Sequence, residues 1–104
     1  MVIVMARVKV RSEHLAEAWA ISKAHVARSR LEPGCISHNV YQDDEHEKYL
    51  VFVEEWESEQ SLVTHFSVPA SAEFVNALAR MAAGKTAFHI YAAKELPFPK
   101  LGAA

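Results

Sequence analysis

The segment of residues 49–56, Tyr-Leu-Val-Phe-Val-Glu-Glu-Trp, limits the folds open to this 104-residue chain more than any other. Successive side chains of a strand point to opposite faces, so Leu50 and Phe52 lie on one face and Val51 and Val53 on the other. A strand that is apolar on both faces needs a cover on each. Helices of the same chain can cover only one face, and the simplest cover for the other is a second copy packed sheet against sheet. We therefore predict a homodimer.

The remaining segments predict the order β-α-β-β-α(α)-β. Period-two alternation or β-branched runs predict strands, and helical spacing predicts helices. The predicted strands cover 2–10, 35–41, 49–56 and 86–96, and the predicted helices cover 12–31, 58–66 and 69–83. This split βαβ order predicts an α+β, ferredoxin-like domain with a four-stranded antiparallel sheet and helices on one face. We expect one domain over 1–96 and a C-terminal tail over 97–104.

Local signals predict where the helices begin and end. Ser12 and Ser58 are good N-caps, and Pro69 suits a first helical position. Pro33-Gly34 stops the first helix, and Gly84 ends the last one as a C′ residue. The apolar residues expected to face inward from the last two helices are Leu62, Val63, Phe66, Phe74, Val75, Leu78 and Met81.

The composition excludes several classes of protein. Eleven Lys and Arg residues face 13 Asp and Glu residues, and no basic block occurs that could hold nucleic-acid phosphates. Arg7 interrupts the apolar start of the chain, so we expect neither a signal peptide nor a membrane span. The single cysteine, Cys35, forms no intrachain disulfide and suits a reducing compartment. We expect a cytoplasmic protein without nucleic-acid or membrane partners.

An aromatic ring, a carboxylate and an imidazole come together at the end of the strand at 49–56. Trp56 and Glu54 share one face, and His65 follows nine positions after Trp56 on the next helix. Two interpretations remain open. In the first, Trp56 fills the core and Glu54 pairs with an arginine. In the second, Trp56 forms one wall of a pocket for an aromatic ligand, and Glu54 orients a polar group in that pocket. Glu55 points to the opposite face, where we expect a salt bridge across the dimer.

Two further histidines are candidates for acid–base chemistry. His25 is three positions from Arg28 on the first helix, so the two can share a face that binds an anionic group or is simply solvated. His38 shares a strand face with Ile36 and Val40 and is therefore at least half buried. A buried histidine close to others can act as a general acid or base.

The histidine spacing contains no metal-ligand motif. The six histidines fall at positions 14, 25, 38, 46, 65 and 89, and none are three or four apart. A site assembled in space from His25, His38, His65 and Glu54 would leave no trace in this spacing. We expect no metal and no other cofactor, since three glycines are also too few for a phosphate-binding loop.

Several short motifs, in this order, resemble the antibiotic biosynthesis monooxygenase family of dimeric α+β barrels. The matching residues are His25, Ser29-Arg30, Glu32-Pro33-Gly34-Cys35, Tyr41-Gln42-Asp43, Glu54-Glu55-Trp56-Glu57-Ser58, His65 and Phe74. The resemblance runs from Val2 to about Tyr91, which is nearly the whole chain.

The resemblance implies a dimer whose two sheets form a barrel, with a pocket between sheet and helices in each protomer. It also implies oxidation of a quinol or polyketide-type aromatic ring by molecular oxygen, without metal, flavin or haem. An electron-rich phenolate or carbanion can pass an electron to oxygen, so the protein has only to deprotonate the substrate in a dry pocket. The candidate catalytic residues are His25, His38 and His65, and the candidate substrate-binding residues are Arg28, Glu54, Trp56, Phe66 and Phe74.

Two other functions fit the same residues. An isomerase or other acid–base enzyme on a small polar or phosphorylated metabolite would need Arg28 or Arg30 beside His25. A non-catalytic, small-ligand-binding dimer would use its histidines for packing only. Haem-degrading relatives use an asparagine on the first strand, where this chain has Met5-Ala6-Arg7, so we do not expect haem degradation.

Overall fold

The computed structural model describes residues 1–99 and shows a four-stranded antiparallel sheet with three helices, which confirms the ferredoxin-like α+β arrangement. The strands are β1 (Val2–Lys9), β2 (Cys35–Gln42), β3 (Tyr49–Trp56) and β4 (Ala87–Ala92). The helices are α1 (Leu15–Ser29), α2 (Glu59–Ser67) and α3 (Pro69–Met81), with a short 3-10 helix at Ser12–His14 before α1. The strand order across the sheet is β2-β3-β1-β4. Within residues 1–99, no helix is long and apolar enough to cross a membrane.

The alternation in β3 has the predicted effect on burial. Leu50, Phe52, Glu54 and Trp56 are at most 5% exposed, whereas the residues between them are partly exposed. Phe52 stands opposite Ala6 of β1 and Val40 of β2, so β3 lies inside the sheet with a strand on each side. The buried face of β3 is therefore the face that meets the helices.

The buried apolar residues form two clusters. The larger cluster contains Ala6, Val8, Val10, Ala18, Val26, Leu50, Phe52, Phe74, Leu78 and Met81. The smaller one contains Val2, Val4, Trp56 and Leu62. Glu54 lies on β3 between Phe52 of the first cluster and Trp56 of the second, so a buried carboxylate separates the two apolar clusters.

The opposite face of the sheet exposes apolar side chains. Met5, Tyr41 and Tyr91 are each between 45% and 52% exposed, and Val51 and Val53 are partly exposed. These residues share a face because opposed residues of antiparallel strands point the same way. The sheet thus has a second apolar face that the helices do not cover, as the pattern of β3 predicts.

Two predicted helix ends are wrong. Ser12 lies in the 3-10 helix, and α1 begins at Leu15 with no side-chain cap from the described residues. The last helix ends at Met81, before Gly84, because Ala82 is extended and pairs with Val10. At the end of α3, a contact with a distant residue therefore decides where the helix stops. The Ser58 cap is confirmed, since its side chain accepts a hydrogen bond from the Ser61 amide.

The predicted inward faces of α2 and α3 are largely confirmed. On α2, Leu62 and His65 are buried and Phe66, although 42% exposed, lines a cavity between the sheet and the helices, whereas Val63 is 55% exposed and does not line it. On α3, Phe74, Leu78 and Met81 are buried as predicted, and Val75, although 54% exposed, lines the same cavity. The buried stripe of α2 is narrow, and its second member is a histidine.

The last strand is shorter than predicted. β4 ends at Ala92, which pairs with Val2 at the beginning of β1, so residues 94–96 have no pairing partner on β1. Residues 97–99 form no regular structure, and the rest of the predicted tail, 100–104, lies outside the described residues.

Replacing Gly34 by alanine should destabilise the protein more than the same change at Gly84. Both glycines have positive φ, 82° and 88°, so each change costs about 1–2 kcal/mol of backbone strain. A Cβ at Gly34 would also overlap the Ser61 side chain, whereas no described atom lies within 4 Å of a Cβ at Gly84. We expect about 1–3 kcal/mol of additional loss at Gly34 from overpacking. Urea unfolding of both variants measures this, and equal losses would contradict it.

Candidate functional site

Three buried histidines from three different elements meet under the sheet. His25 comes from α1, His38 from β2 and His65 from α2, and they are 4%, 0% and 2% exposed. Their ring centroids form a nearly equilateral triangle with sides of 5.2, 5.4 and 5.5 Å. We call these three residues the histidine cluster.

A β-bulge in β2 brings His38 into the histidine cluster. Cys35 pairs with Trp56 and Ser37 pairs with Glu55, so Ile36 is an extra residue in β2. In a regular strand, Cys35 and His38 would lie on opposite faces because they are three positions apart. Instead both face the helices, while Ile36 is 51% exposed. The prediction that His38 shares a face with Ile36 is therefore wrong.

Glu54 is the polar partner that the histidine cluster and Trp56 have in common. Its Oε1 accepts a hydrogen bond from Trp56 Nε1 at 3.0 Å and lies 3.3 Å from His38 Nε2 and 3.9 Å from His65 Nε2. Burial opposes ionisation of this carboxyl, but His38, Trp56 and His65 outweigh it and lower the pKa of Glu54. The carboxyl is thus ionised at neutral pH. The alternative that Glu54 pairs with an arginine is wrong.

His65 is held from behind by a second carboxylate. Its Nδ1 lies 2.8 Å from Glu32 Oε1. A carboxylate only accepts hydrogen bonds, so Nδ1 carries the proton and donates it. The remaining nitrogen, Nε2, points toward Glu54. This carboxylate–imidazole arrangement fixes the tautomer and orientation of a histidine that exchanges protons.

His25 lies flat on an aromatic ring. Its imidazole stacks on Phe74 with a centroid distance of 4.0 Å and an interplanar angle of 5°. Burial lowers the pKa of His25 from its ordinary 6.5 to about 3, and His38, His65 and Arg28 contribute in the same direction against Glu54. His25 is therefore neutral at physiological pH.

A cavity of about 230 Å³ lies between the sheet and the helices, as the resemblance implies. Its polar end is formed by His25, Glu54 and His65. The rest is mainly apolar and includes Ala6, Phe52, Phe66, Phe74, Leu78 and Phe88. Such a cavity, apolar with a few convergent polar groups, is typical of a small-molecule site.

The predicted site residues occupy three different places. His25, Glu54, His65, Phe66 and Phe74 line the cavity. His38 and Trp56 are fully buried and contact this set from behind, through ring contacts to His25 and His65. Arg28 is exposed and lies on a separate groove with Glu73 and Ala77.

Two buried or partly buried polar residues lie near the site but outside the predicted set. Glu32 belongs to the predicted turn, and its carboxylate reaches His65. Ser22 is fully buried, and its Oγ has no hydrogen-bond partner within residues 1–99. The sequence contains a signal for it, since Ser22, His25 and Ser29 form a polar stripe at helical spacing on the buried side of α1.

The chain is similar to several proteins of known structure or sequence. A conserved protein from Methanosarcina mazei is 30% identical with a TM-score of 0.85, over 89% of this chain and 92% of that chain. A putative antibiotic biosynthesis monooxygenase from Deinococcus radiodurans is 22% identical with a TM-score of 0.89, over 96% and 99%. A cofactor-independent oxygenase from Streptomyces nogalater is 16% identical with a TM-score of 0.79, over 91% and 94%. The last two likenesses concern the fold alone.

An uncharacterised protein of Synechocystis is 35% identical over 74 residues, which are 71% of this chain. The chain spans half the length of that relative. The family described as antibiotic biosynthesis monooxygenase matches residues 1–83, most of the chain, and this match includes the whole histidine cluster. The chain therefore belongs to the antibiotic biosynthesis monooxygenase family.

Proposed function

We propose that the protein is a monooxygenase that oxidises a small quinol with molecular oxygen. One observation carries this proposal: Glu32 holds His65 through Nδ1, which leaves Nε2 as a base at the polar end of an apolar cavity. Family membership supports the oxygen chemistry, and the electron donor is the ring of the substrate itself.

The proton moves from a substrate hydroxyl to His65 Nε2. Glu32 stabilises the imidazolium that forms, as an orienting carboxylate does in other acid–base sites. His25 is a poor base, because its pKa of about 3 keeps it from holding a proton. We assign it the role of a neutral hydrogen-bonding group that orients the substrate ring beside Phe74. His38 and Trp56 keep Glu54 and His65 in place from behind.

The reaction balances with the substrate as the only reductant. The deprotonated quinol passes one electron to oxygen, and the resulting radical pair recombines to form a C–O bond. His65 returns its proton, water leaves from the hydroperoxide, and a ring carbonyl forms. One quinol and one oxygen molecule thus give one hydroxyquinone and one water. The apolar walls exclude bulk water from these intermediates.

The size and charge of the cavity restrict the substrate. An apolar cavity of about 150 Å³ accepts benzene, so 230 Å³ suits a substituted single ring or a compact bicycle. Larger polyketide rings exceed this volume. No Lys or Arg lines the cavity among the described residues, and ionised Glu54 repels anions. We therefore propose a neutral quinol without a carboxylate or phosphate group.

The cavity also weighs against an isomerase acting on a phosphorylated metabolite. That function needs Arg28 or Arg30 beside His25 in the pocket. Arg28 lies on the separate groove, and Arg30 donates hydrogen bonds to the His38 carbonyl at 3.0 Å and to Asn39 Oδ1 at 2.8 Å. Neither guanidinium belongs to the cavity lining.

Oxygen consumption tests the proposal directly. Purified protein is mixed with a panel of one-ring and two-ring hydroquinones, and oxygen uptake is compared with the rate in buffer. We expect catalysed uptake with at least one neutral hydroquinone, and one product oxygen derived from ¹⁸O₂. Uptake equal to the buffer rate across the whole panel would overturn the proposal.

We also propose a homodimer formed by sheet-to-sheet packing. The half-exposed Met5, Tyr41 and Tyr91 support it, because a second copy would remove this apolar face from water. Sedimentation at micromolar concentration should give twice the monomer mass of 11.6 kDa. Substituting Tyr41 by glutamate should shift the mass toward the monomer, and a monomeric parent protein would contradict the proposal.

The proposed location is the cytoplasm, where a reducing environment suits the single cysteine Cys35.

A further inference from the structure

We propose that the histidine cluster binds one divalent transition metal ion such as Zn²⁺. The site consists of His25, His38 and His65, with Glu54 as the fourth ligand. This inference goes beyond the proposed oxidation and does not depend on it.

The geometry of the histidine cluster is close to that of a metal site. One nitrogen from each of the three rings lies within 4.8 Å of the other two. Around a tetrahedral zinc with bonds of about 2.0–2.1 Å, ligand nitrogens lie about 3.4 Å apart and imidazole centroids about 5 Å apart. The observed centroid distances are 5.2–5.5 Å. The rings therefore already stand at nearly the separation of a zinc site, and binding would draw their nitrogens closer together.

The histidine cluster contains buried nitrogens that lack partners. His25 Nδ1 and His38 Nδ1 have no hydrogen bond within residues 1–99, and the only polar neighbour of His38 Nε2 among the described contacts is Glu54 Oε1 at 3.3 Å, although both side chains are at least nine-tenths buried. Leaving a buried polar group unsatisfied costs about 1–3 kcal/mol. Neutral imidazole is a common metal ligand, so a bound ion would engage nitrogens that otherwise have no partner.

The surroundings supply the second shell and the charge that a metal site needs. Histidine ligands usually donate their other N–H to a carboxylate, as His65 Nδ1 does to Glu32. Glu54 Oε1 lies 3.3 Å from His38 Nε2 and 3.9 Å from His65 Nε2, which places it beside the site. Two carboxylates thus balance the double charge of the ion. Three imidazoles and one carboxylate form a donor set that suits Zn²⁺.

Metal binding and proton abstraction would exclude each other, because both use the lone pair of His65 Nε2. We therefore expect stoichiometric Zn²⁺ to inhibit quinol oxidation and a chelator to restore it. Metal binding itself is measured without quinol, so failure of the oxidation assay leaves the binding result intact.

Calorimetric titration of chelator-treated protein with Zn²⁺ tests the site. We expect one ion per chain, at least 100-fold weaker binding in His38→Ala, and about 10–100-fold weaker binding in Glu32→Gln. His46→Ala is the matched control, since His46 is an exposed histidine of the β2–β3 loop, and its affinity should be unchanged.

Visible absorption of the Co²⁺-loaded protein distinguishes the buried site from a surface site. We expect the intense bands of four-coordinate Co²⁺, lost in His38→Ala and also in His25→Gln, with folding of each variant checked by circular dichroism. No stoichiometric binding, or equal binding in the parent protein and both variants, would overturn the proposal.

Discussion

Replacing His65 by alanine should lower the kcat of oxygen-dependent quinol oxidation by about 10²–10⁴-fold, the usual contribution of a general base. The change removes the imidazole whose Nε2 is the proposed base. Among the residues described, His65 is the only cavity histidine whose tautomer is fixed by a hydrogen bond to a carboxylate. Substrate binding should change less, because the apolar walls and Phe74 remain. Steady-state oxygen uptake, with KM determined separately, measures the two effects.

Two further variants sharpen this prediction. Glu32→Gln keeps the shape of the side chain but lets its amide donate to Nδ1, which favours the wrong tautomer, so we expect a large part of the same loss in kcat. His46→Ala removes an exposed histidine and should leave kcat unchanged. A His65→Ala variant that retains kcat within about threefold would show that another group is the base.

Replacing Glu54 by leucine should lower the free energy of unfolding by about 1–3 kcal/mol, the usual cost of leaving a buried hydrogen-bond donor without its acceptor. Glu54 is 5% exposed and accepts the hydrogen bond of Trp56 Nε1. Without it, the indole N–H loses its acceptor inside the core, and His38 Nε2 loses the carboxylate oxygen that lies 3.3 Å away. Urea unfolding followed by Trp fluorescence measures the loss.

Glu54→Gln is the matched control for this effect. The amide oxygen can still accept from Trp56 Nε1, but the negative charge is gone. We expect a loss smaller than that of Glu54→Leu, and the difference between the two isolates the hydrogen bond. A leucine variant as stable as the parent protein would mean that apolar packing compensates fully, and the assigned role of Glu54 would be wrong.

The place of the histidine cluster explains why this protein carries costly polar groups inside its core. The cluster and Glu54 lie between two apolar clusters and are at most 5% exposed. Electrostatic interactions are stronger in such surroundings than in water. The same isolation that destabilises the fold makes His65 and Glu54 useful for chemistry on a small apolar ring.

Much of the fold follows from local patterns. Alternation in β3 indicates which side chains meet the helices, and Ser58 predicts the beginning of α2 correctly, because both depend on neighbours within a few residues. Gly84 fails as an end signal because its effect is overridden by a residue far away in sequence. The end of α3 depends on the pairing of Ala82 with Val10, which is 72 positions away in sequence.

The sequence by itself determined the strand and helix order, the buried face of β3 and the identity of three candidate histidines. Only the tertiary structure decided that these histidines form one cluster, since 13 positions separate His25 from His38 and 27 separate His38 from His65. The bulge at Ile36 and the reach of Glu32 to His65 both depend on how strands and helices pack. Hydrophobic periodicity and secondary-structure propensity depend on neighbours along the chain, whereas a site is made by residues that tertiary packing brings together.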